Sequence, residues 1–171
     1  MPASRRIYLD SNIFIRMLEN KDDSAAALLQ LLGGALRGRE PCFATSELTL
    51  AELLVKPYRD ANVELMETYD RWTTASRNIQ VAGVGRNVLK RAALMRANFP
   101  VLKLPDAIHI ASAITLECSH LLTADLRLSG SYSLTIPQYD EPQFPMGTTT
   151  RTVDVLRPEL DVINQVLEEL T

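Results

Sequence analysis

Four acidic residues stand where their carboxylates could do chemistry together, and two of them directly follow predicted strands. Asp10 comes after the β-rich run Arg6–Leu9, and Asp125 comes two residues after a second such run, Leu121–Thr123. Open parallel sheets bind their ligands outside the carboxyl ends of the strands. Both carboxylates are therefore expected at the ligand-binding edge of a sheet.

The other two acidic residues lie on predicted helices. Asp106 is in the first turn of the helix that opens with LPDAIHIASAI. Glu52 lies inside the helical stretch SELTLAELLVK, and at about 100° per residue it shares a face with Leu48, Ala51 and Val55. This face is expected to be buried, so Glu52 is a carboxylate where a core residue would stand. Burying a single carboxylate is costly, which favours a functional role for Glu52.

Each of these residues also has an ordinary structural explanation. Asp10 could cap a helix, Asp106 could complement a helix dipole, Asp125 could cap a turn, and Glu52 could be ion-paired. Considered together, carboxylates that converge on one cleft repel each other unless cations lie between them. Hard oxygen ligands suit Mg²⁺ or Mn²⁺, and such a site can activate water and stabilise a phosphoryl transition state.

Short strands that alternate with helices must position these residues. Strands are predicted at 6–9, 41–45, 79–84, 121–123 and 132–136. Helices are predicted directly after Asp10 and at 23–36, 46–56, 60–76, 87–98, 105–117 and 158–170. This alternation predicts a three-layer α/β/α sandwich with a short, mainly parallel sheet.

The sequence changes in composition after residue 137. Residues 137–151 are rich in proline and threonine and are predicted to form a loop, followed by the C-terminal helix. We therefore expect residues 1–137 to form the α/β domain. Residues 138–171 are expected to be a loop and a helix whose role the sequence does not reveal.

The composition excludes several classes of protein. The 171 residues are 46% hydrophobic and 23% charged, with no apolar run near the ~20 residues that span a bilayer. The N-terminus has no apolar segment typical of a secretory signal, so a cytoplasmic location is expected. Cys42 and Cys118 form no zinc pattern and are interpreted as buried thiols. The net charge of −3 gives no global attraction to nucleic acid, so binding would need a local basic patch or bound cations.

Four stretches of the chain together resemble the PIN-domain ribonucleases, especially bacterial toxins of the VapC type. They are IYLDSNIFI (Ile7–Ile15), TSELTLAELLVKP (Thr45–Pro57), LPDAIHIASAI (Leu104–Ile114) and LLTADLRL (Leu121–Leu128). They occur in the order of the family and span most of residues 6–136.

The resemblance implies a PIN-like fold and a metal-dependent endoribonuclease. It places the catalytic and metal-binding carboxylates, with Mg²⁺ or Mn²⁺, on Asp10, Glu52, Asp106 and Asp125. It places supporting polar side chains on Ser11, Asn12 and Thr123. The family often has Asn before the last Asp, whereas this chain has Ala124.

The resemblance also implies partners: an RNA substrate, a cognate antitoxin and a second copy of the chain. Possible phosphate contacts are the basic residues near the acidic motifs, Arg16, Lys56, Lys103 and Arg127. An antitoxin or dimer partner is expected to cover part of the apolar surface formed by Ile13, Leu28, Leu29 and Leu32. His109 is interpreted as a residue at the edge of the core.

Two other functions remain open from the sequence. One is a PIN-like module that binds RNA or protein without cleaving. The other is a phosphatase with Asp10 as covalent nucleophile. Such phosphatases usually have a second Asp two positions later, where this chain has Asn12.

Overall fold

The computed structural model describes residues 6–33, 42–137 and 148–170, which contain six strands and eight helices. The strands are β1 (Ile7–Leu9), β2 (Phe43–Ser46), β3 (Ile79–Ala82), β4 (His120–Leu122), β5 (Ser131–Pro137) and β6 (Thr148–Leu156). The helices are α1 (Ser11–Glu19), α2 (Asp23–Gly33), α3 (Glu47–Leu53), α4 (Val55–Arg59), α5 (Val63–Trp72), α6 (Arg86–Asn98), α7 (Leu104–Thr115) and α8 (Leu160–Leu170).

The strands form one sheet in the order β3-β2-β1-β4-β6-β5. The first five strands in this order are parallel to their neighbours, and β5 pairs antiparallel with β6 at the edge. Tyr8 of β1 is in register with Ala44 of β2 and Leu121 of β4. The segments after β1 and β4 therefore leave the sheet side by side at the same edge.

The sheet separates two hydrophobic cores. Side chains alternate between the two faces of a strand, so Tyr8 packs with α6 and α7 while Ile7 and Leu9 pack with α1 and α2. Neighbouring residues of β4 divide in the same way, with Leu121 in the first core and Leu122 in the second. The predicted three-layer α/β/α sandwich with a mainly parallel sheet is thus confirmed. Within the described ranges, no helix is long and apolar enough to cross a bilayer.

The helix expected over residues 46–56 is divided in the structure. It ends at Leu53, and α4 begins at Val55 with Pro57 as its third residue. The prediction that the helix stops before Pro57 is therefore wrong. Proline is tolerated there because the N–H groups of a first helical turn have no partner within the helix.

The loop predicted over residues 137–151 is also partly wrong, because Thr148–Arg151 belongs to β6. This strand lies between β4 and β5, and hydroxyl pairs link it to β5: Ser133 to Thr152 at 2.8 Å and Thr135 to Thr150 at 3.0 Å. Threonine is β-branched and suits a strand. The stretch is nevertheless polar, so its sequence alone predicts a loop. The domain boundary predicted after residue 137 stays a prediction. The segments before and after it contribute strands to the same sheet.

The remaining predicted elements agree with the structure to within a few residues at most ends. The C-terminal helix is present as α8, and Ile163 packs it into the core formed with α1 and α2. Three predicted stretches lie outside the described residues: the last part of the helix predicted to end at residue 36, the start of the strand at Pro41, and residues 138–147 of the loop.

Candidate active site

Asp10 lies directly after β1 and is held by three donors. Its Oδ1 accepts a hydrogen bond from the backbone N–H of Ser11 at 2.7 Å, which caps α1. Its Oδ2 accepts from Asn12 Nδ2 and from Thr123 Oγ1, both at 2.6 Å. The residue is only 6% exposed. The carboxylate is therefore fixed in one orientation at the carboxyl end of the parallel strands.

Asn12 and Thr123 also join the loops that follow β1 and β4. Asn12 Nδ2 donates to Thr123 Oγ1 at 2.9 Å, and Asn12 Oδ1 accepts from the backbone N–H of Ala124 at 2.8 Å. Thr123 Oγ1 accepts in turn from the backbone N–H of Asp125 at 3.0 Å. The residue at position 124 thus joins this network through its backbone, which alanine provides as well as asparagine. All three residues expected beside the carboxylates, Ser11, Asn12 and Thr123, contact Asp10.

Glu52 reaches the same region from α3. Its Oε2 lies 2.9 Å from His109 Nε2, and its side chain is 33% exposed. Partial burial raises the pKa of Glu52, but the hydrogen bond and charge of His109, with a hydrogen bond to Ser11, outweigh it and lower the pKa below its ordinary value. The expectation of a buried face around Glu52 is wrong, because Ala51 and Val55 are exposed. The break at Leu54 separates Val55 from the first helix, and Thr49 and Leu53 form its buried side.

His109 lies between the carboxylates of Asp10 and Glu52. It is 3% exposed, and its Nε2 lies 3.4 Å from Asp10 Oδ1. Burial lowers the pKa of His109, but the hydrogen bond with Glu52 and the charges of Asp10, Glu52 and Asp106 outweigh this effect and raise the pKa. The interpretation of His109 as a core-edge residue therefore misses a direct contact with two of the four carboxylates. Its position three residues after Asp106 in an apolar helix is the signal that could have revealed it.

Asp106, in the first turn of α7, faces the same group of charges. Burial raises its pKa, and the carboxylates of Asp125 and Asp10 raise it further, while Arg127 and His109 act in the opposite direction. These influences place the carboxylate of Asp106 near those of Asp125 and Asp10. Among the residues that the structure describes, possible metal-ligand atoms of Asp10, Glu52 and His109 form a close cluster, which does not include Asp106 or Asp125.

Asp125 stands at the rim, in the loop after β4, and is paired with Arg127. Arg127 Nε lies 3.0 Å from both carboxylate oxygens, and Nη2 also donates to Oδ2. The hydrogen bond from Arg127 lowers the pKa of Asp125 in spite of partial burial. Arg157 holds the backbone of this loop, because its Nη1 donates to the carbonyl oxygens of Asp125 at 2.7 Å and Thr123 at 3.2 Å.

Three of the four basic residues considered for phosphate binding have acidic partners within the chain. Arg16 contacts Asp22 at 3.3 Å, Lys56 contacts Glu19 at 2.7 Å, and Arg127 contacts Asp125. Lys103 is exposed at the start of α7, beside Asp106. Arg16 and Arg157 also line a cavity of about 500 Å³ that opens next to Ala124 and Leu126.

The donor set fits a divalent cation. In an octahedral shell with ligands at about 2.1 Å, neighbouring ligand atoms lie about 3 Å apart. His109 Nε2 is 2.9 Å from Glu52 Oε2 and 3.4 Å from Asp10 Oδ1, which is close to this spacing. The surplus of negative charge at the edge of the sheet also favours a cation.

Comparisons with known proteins agree with this architecture. The fold resembles the VapBC2 complex of Rickettsia felis bound to promoter DNA (17% identity, TM-score 0.57, 88% of this chain and 98% of that chain). It also resembles a toxin–antitoxin complex of Klebsiella pneumoniae (19% identity, TM-score 0.54, 90% of this chain and 98% of that chain). A third similar structure is VapC20 of Mycobacterium tuberculosis, a sarcin–ricin loop cleaving toxin (16% identity, TM-score 0.50, 67% of this chain and 86% of that chain).

At sequence identities of 16–19%, the similarity to these structures shows the fold alone. No curated protein sequence matches the chain significantly. The family model described as PIN domain matches residues 7–130, which is most of the chain and contains all four carboxylates. The chain therefore belongs to the PIN domain family and has the fold of VapC-type toxins, as its sequence motifs predict.

Proposed function

We propose that the chain is a metal-dependent endoribonuclease that hydrolyses RNA phosphodiester bonds, and that it acts as the toxin of a type II toxin–antitoxin pair. The observation that supports the proposal is the close group of Asp10, Glu52 and His109 at the carboxyl edge of a PIN-type sheet, together with the influence of the Asp10 and Asp125 charges on Asp106. A module that binds RNA or protein without cleaving would not require several carboxylates at one site.

The proposed catalytic and metal-binding residues are Asp10, Glu52, Asp106 and Asp125. Asp10 would provide a rigid oxygen ligand, because the donors on its Oδ2 leave Oδ1 directed towards Glu52 and His109. A bound Mg²⁺ or Mn²⁺ would supply Lewis-acid chemistry, activating water and stabilising the charge of a phosphoryl transition state. It would also offset the repulsion between the carboxylates and the RNA backbone.

RNA would approach over the rim formed by the loop after β4 and the start of α7. Lys103 is exposed there, and Arg127 can exchange its contact with Asp125 for a phosphate when Asp125 turns towards a cation. Arg16 and Lys56 are weaker candidates, because they pair with Asp22 and Glu19, which do not belong to the four proposed carboxylates.

An antitoxin partner is supported by the solved complexes that share this fold. The surface expected to receive a partner is smaller than the sequence suggests. Ile13 and Leu28 are buried in the core of the chain itself, where Ile163 of α8 packs, while Leu29 remains 42% exposed. We propose that an antitoxin, and a second copy of the chain in a homodimer, contact the apolar side chains that remain exposed.

The nuclease proposal is tested by incubating the purified protein with end-labelled RNA in EDTA, and again after Mg²⁺ or Mn²⁺ is restored. Cleavage is expected only with the metal and should be lost in Asp106→Asn. Asp70→Asn, which removes an exposed carboxylate on α5, is the control that should cleave like the wild type. Equal cleavage in EDTA would contradict metal dependence, and no cleavage under any condition would favour the binding module.

A thermal melt provides an independent measurement. A ligand that binds only the folded protein stabilises it by about 2.7 kcal/mol at a hundredfold excess over Kd. For a domain of this size this raises the melting temperature on the order of 5 °C. Excess Mn²⁺ should therefore raise the melting temperature of the wild type and of Asp70→Asn, and melts that coincide with and without Mn²⁺ would argue against a metal site.

A further inference from the structure

We propose that His109 is a ligand of the cation, oriented by Tyr8, and that its nitrogen makes the site prefer Mn²⁺ to Mg²⁺. This inference rests on the metal-dependent function proposed above and assigns to the site a residue outside the acidic quartet. His109 would then bind the cation together with Asp10 and Glu52.

The imidazole ring of His109 lies against two carboxylates. His109 is carried by α7, and its Nε2 is 3.4 Å from Oδ1 of Asp10, which directly follows β1, and 2.9 Å from Oε2 of Glu52 in α3. The three possible ligand atoms of Asp10, Glu52 and His109 all lie within 4.8 Å of one another. One cation can therefore contact all three atoms with only small movements of the side chains.

The carboxylates around the ring also favour a cation. Glu52 Oε2 lies 2.9 Å and Asp10 Oδ1 lies 3.4 Å from His109 Nε2. A divalent cation beside Nε2 is attracted by both negative charges and offsets their mutual repulsion.

The other ring nitrogen of His109 is supported by buried hydroxyl groups. His109 Nδ1 lies 2.9 Å from the Tyr8 hydroxyl, which lies 2.8 Å from Ser46 Oγ and can donate to it. Tyr8 and Ser46 are fully buried. A ligating histidine normally donates its other ring N–H to a fixed acceptor, which sets the tautomer and the ring orientation. Tyr8 can accept from Nδ1–H while donating to Ser46, leaving Nε2 free for the metal.

The nature of this nitrogen determines the metal preference. Carboxylate and water ligands suit both Mg²⁺ and Mn²⁺. As a first-row transition metal, Mn²⁺ accepts an imidazole nitrogen more readily than Mg²⁺ does. A site that adds an imidazole to its carboxylate ligands should therefore hold Mn²⁺ more tightly than Mg²⁺. Without the imidazole, this difference should become smaller.

The test uses the two histidines of the chain, His109 and His120. His120 lies in β4, with Nδ1 2.8 Å from Ser119 Oγ, and is the matched control. Mn²⁺ bound to the full-length protein is examined by electron spin echo envelope modulation, which detects nitrogen coordinated to the metal. Directly coordinated nitrogen is expected in the wild type and in His120→Gln, and is expected to be absent in His109→Gln.

Isothermal titration with each metal alone provides the second measurement. His109→Gln should weaken Mn²⁺ binding at least about tenfold and Mg²⁺ binding much less. Tyr8→Phe keeps the ring but removes its acceptor, and should weaken Mn²⁺ binding about 10- to 100-fold, as loss of a supporting contact does at other metal sites. His120→Gln should bind both metals like the wild type.

The outcomes separate this inference from the proposed function. Bound Mn²⁺ without coordinated nitrogen, together with metal-dependent RNA cleavage, would overturn the role of His109 and leave the nuclease intact. A nitrogen signal that is lost in His120→Gln would also overturn it. A wild type that binds no Mn²⁺ would overturn both. If His109→Gln fails to fold, the wild type and His120→Gln still decide which histidine provides the signal.

Discussion

At the scale of single residues, Asp10 and Asp106 carry the same chemical group in different environments. Asp10 is surrounded by donors from Ser11, Asn12 and Thr123. Asp106 is a partly buried acid whose pKa is raised first by burial and then by the neighbouring carboxylates. The carboxylate oxygens of Asp10 are thus held by hydrogen bonds, whereas the charge of Asp106 at neutral pH opposes folding.

This contrast predicts opposite effects of one substitution on the stability of the metal-free protein. Asp10→Asn places an amide among donors that face an oxygen acceptor, so the free energy of unfolding should fall by about 1–3 kcal/mol. Asp106→Asn removes a charge that the fold disfavours, so the protein should become more stable at neutral pH. Urea unfolding in EDTA measures both effects, and RNA cleavage should be lost in both variants.

Asp70→Asn is the control for the removal of a negative charge from the surface. An Asp10→Asn protein as stable as the wild type in EDTA would show that its hydrogen bonds contribute little. A loss of stability in Asp106→Asn would mean that its carboxylate has a structural partner, contrary to the raised pKa.

At the scale of elements, the connection from α7 to β4 places a thiol in the core. Glu117 adopts a left-handed conformation, with φ at 57°, and the backbone N–H of Cys118 donates to the carbonyl oxygen of Ala113 at 2.9 Å. This turn leaves Cys118 only 3% exposed. Burial raises the pKa of its thiol from 9.0 to about 12, although Arg6 acts in the opposite direction. The interpretation of both cysteines as buried thiols holds for Cys118, whereas Cys42 is partly exposed.

The raised pKa predicts a loss of stability in alkali. Above pH 9.0 the thiol of the unfolded chain ionises while Cys118 in the folded protein stays protonated, so rising pH favours unfolding. The free energy of unfolding should fall by at most about 1.4 kcal/mol per pH unit from this thiol, until the folded-state pKa is reached. Urea unfolding at several pH values should show a shallower decline in Cys118→Ala than in the wild type.

Cys42→Ala is the control, because Cys42 is only partly buried and should change the slope less. Ionisation of tyrosines is common to all these proteins and cancels in the comparison. Identical slopes for the wild type and Cys118→Ala would contradict the assignment to this thiol.

At the scale of the whole molecule, the C-terminal segment completes the sheet. β6 pairs parallel with β4 and antiparallel along the whole of β5, and Val153 is fully buried. Without β6, the inner side of β5 and one edge of β4 would lose their partners. Buried backbone groups without partners are costly, and an unpaired edge strand promotes aggregation.

Truncation tests the boundary after residue 137. A chain that ends at residue 137 should aggregate or melt without a cooperative transition, because β6 is missing. A chain that ends at Pro158 keeps β6 and Arg157 and loses only α8, so it should fold with reduced stability. Circular dichroism melts compare the two with the full chain. A cooperative melt for the shorter chain would show that residues 1–137 fold independently.

The sequence by itself determined much of the architecture and the family. Strand and helix patterns repeat over a few residues, so β1, β4 and their terminal acidic residues can be recognised locally. The rule that parallel strands present their carboxyl ends at one edge then brings Asp10 and Asp125 together, and β1 and β4 are indeed neighbours. The four motifs in order indicate the PIN family, which the match over residues 7–130 confirms.

Only the tertiary structure decided which side chains meet. His109 and Glu52 are 57 residues apart, and neither sequence segment predicts that α7 and α3 bring the imidazole against that carboxylate. The threonine-rich stretch becomes β6 because β4 and β5 provide hydrogen-bonding partners on both sides. The exposure of Val55 follows from the helix break at Leu54, which changes the faces of the residues after it. Contacts between segments that are distant in sequence decide these features, whereas hydrophobic periodicity depends only on residues close together along the chain.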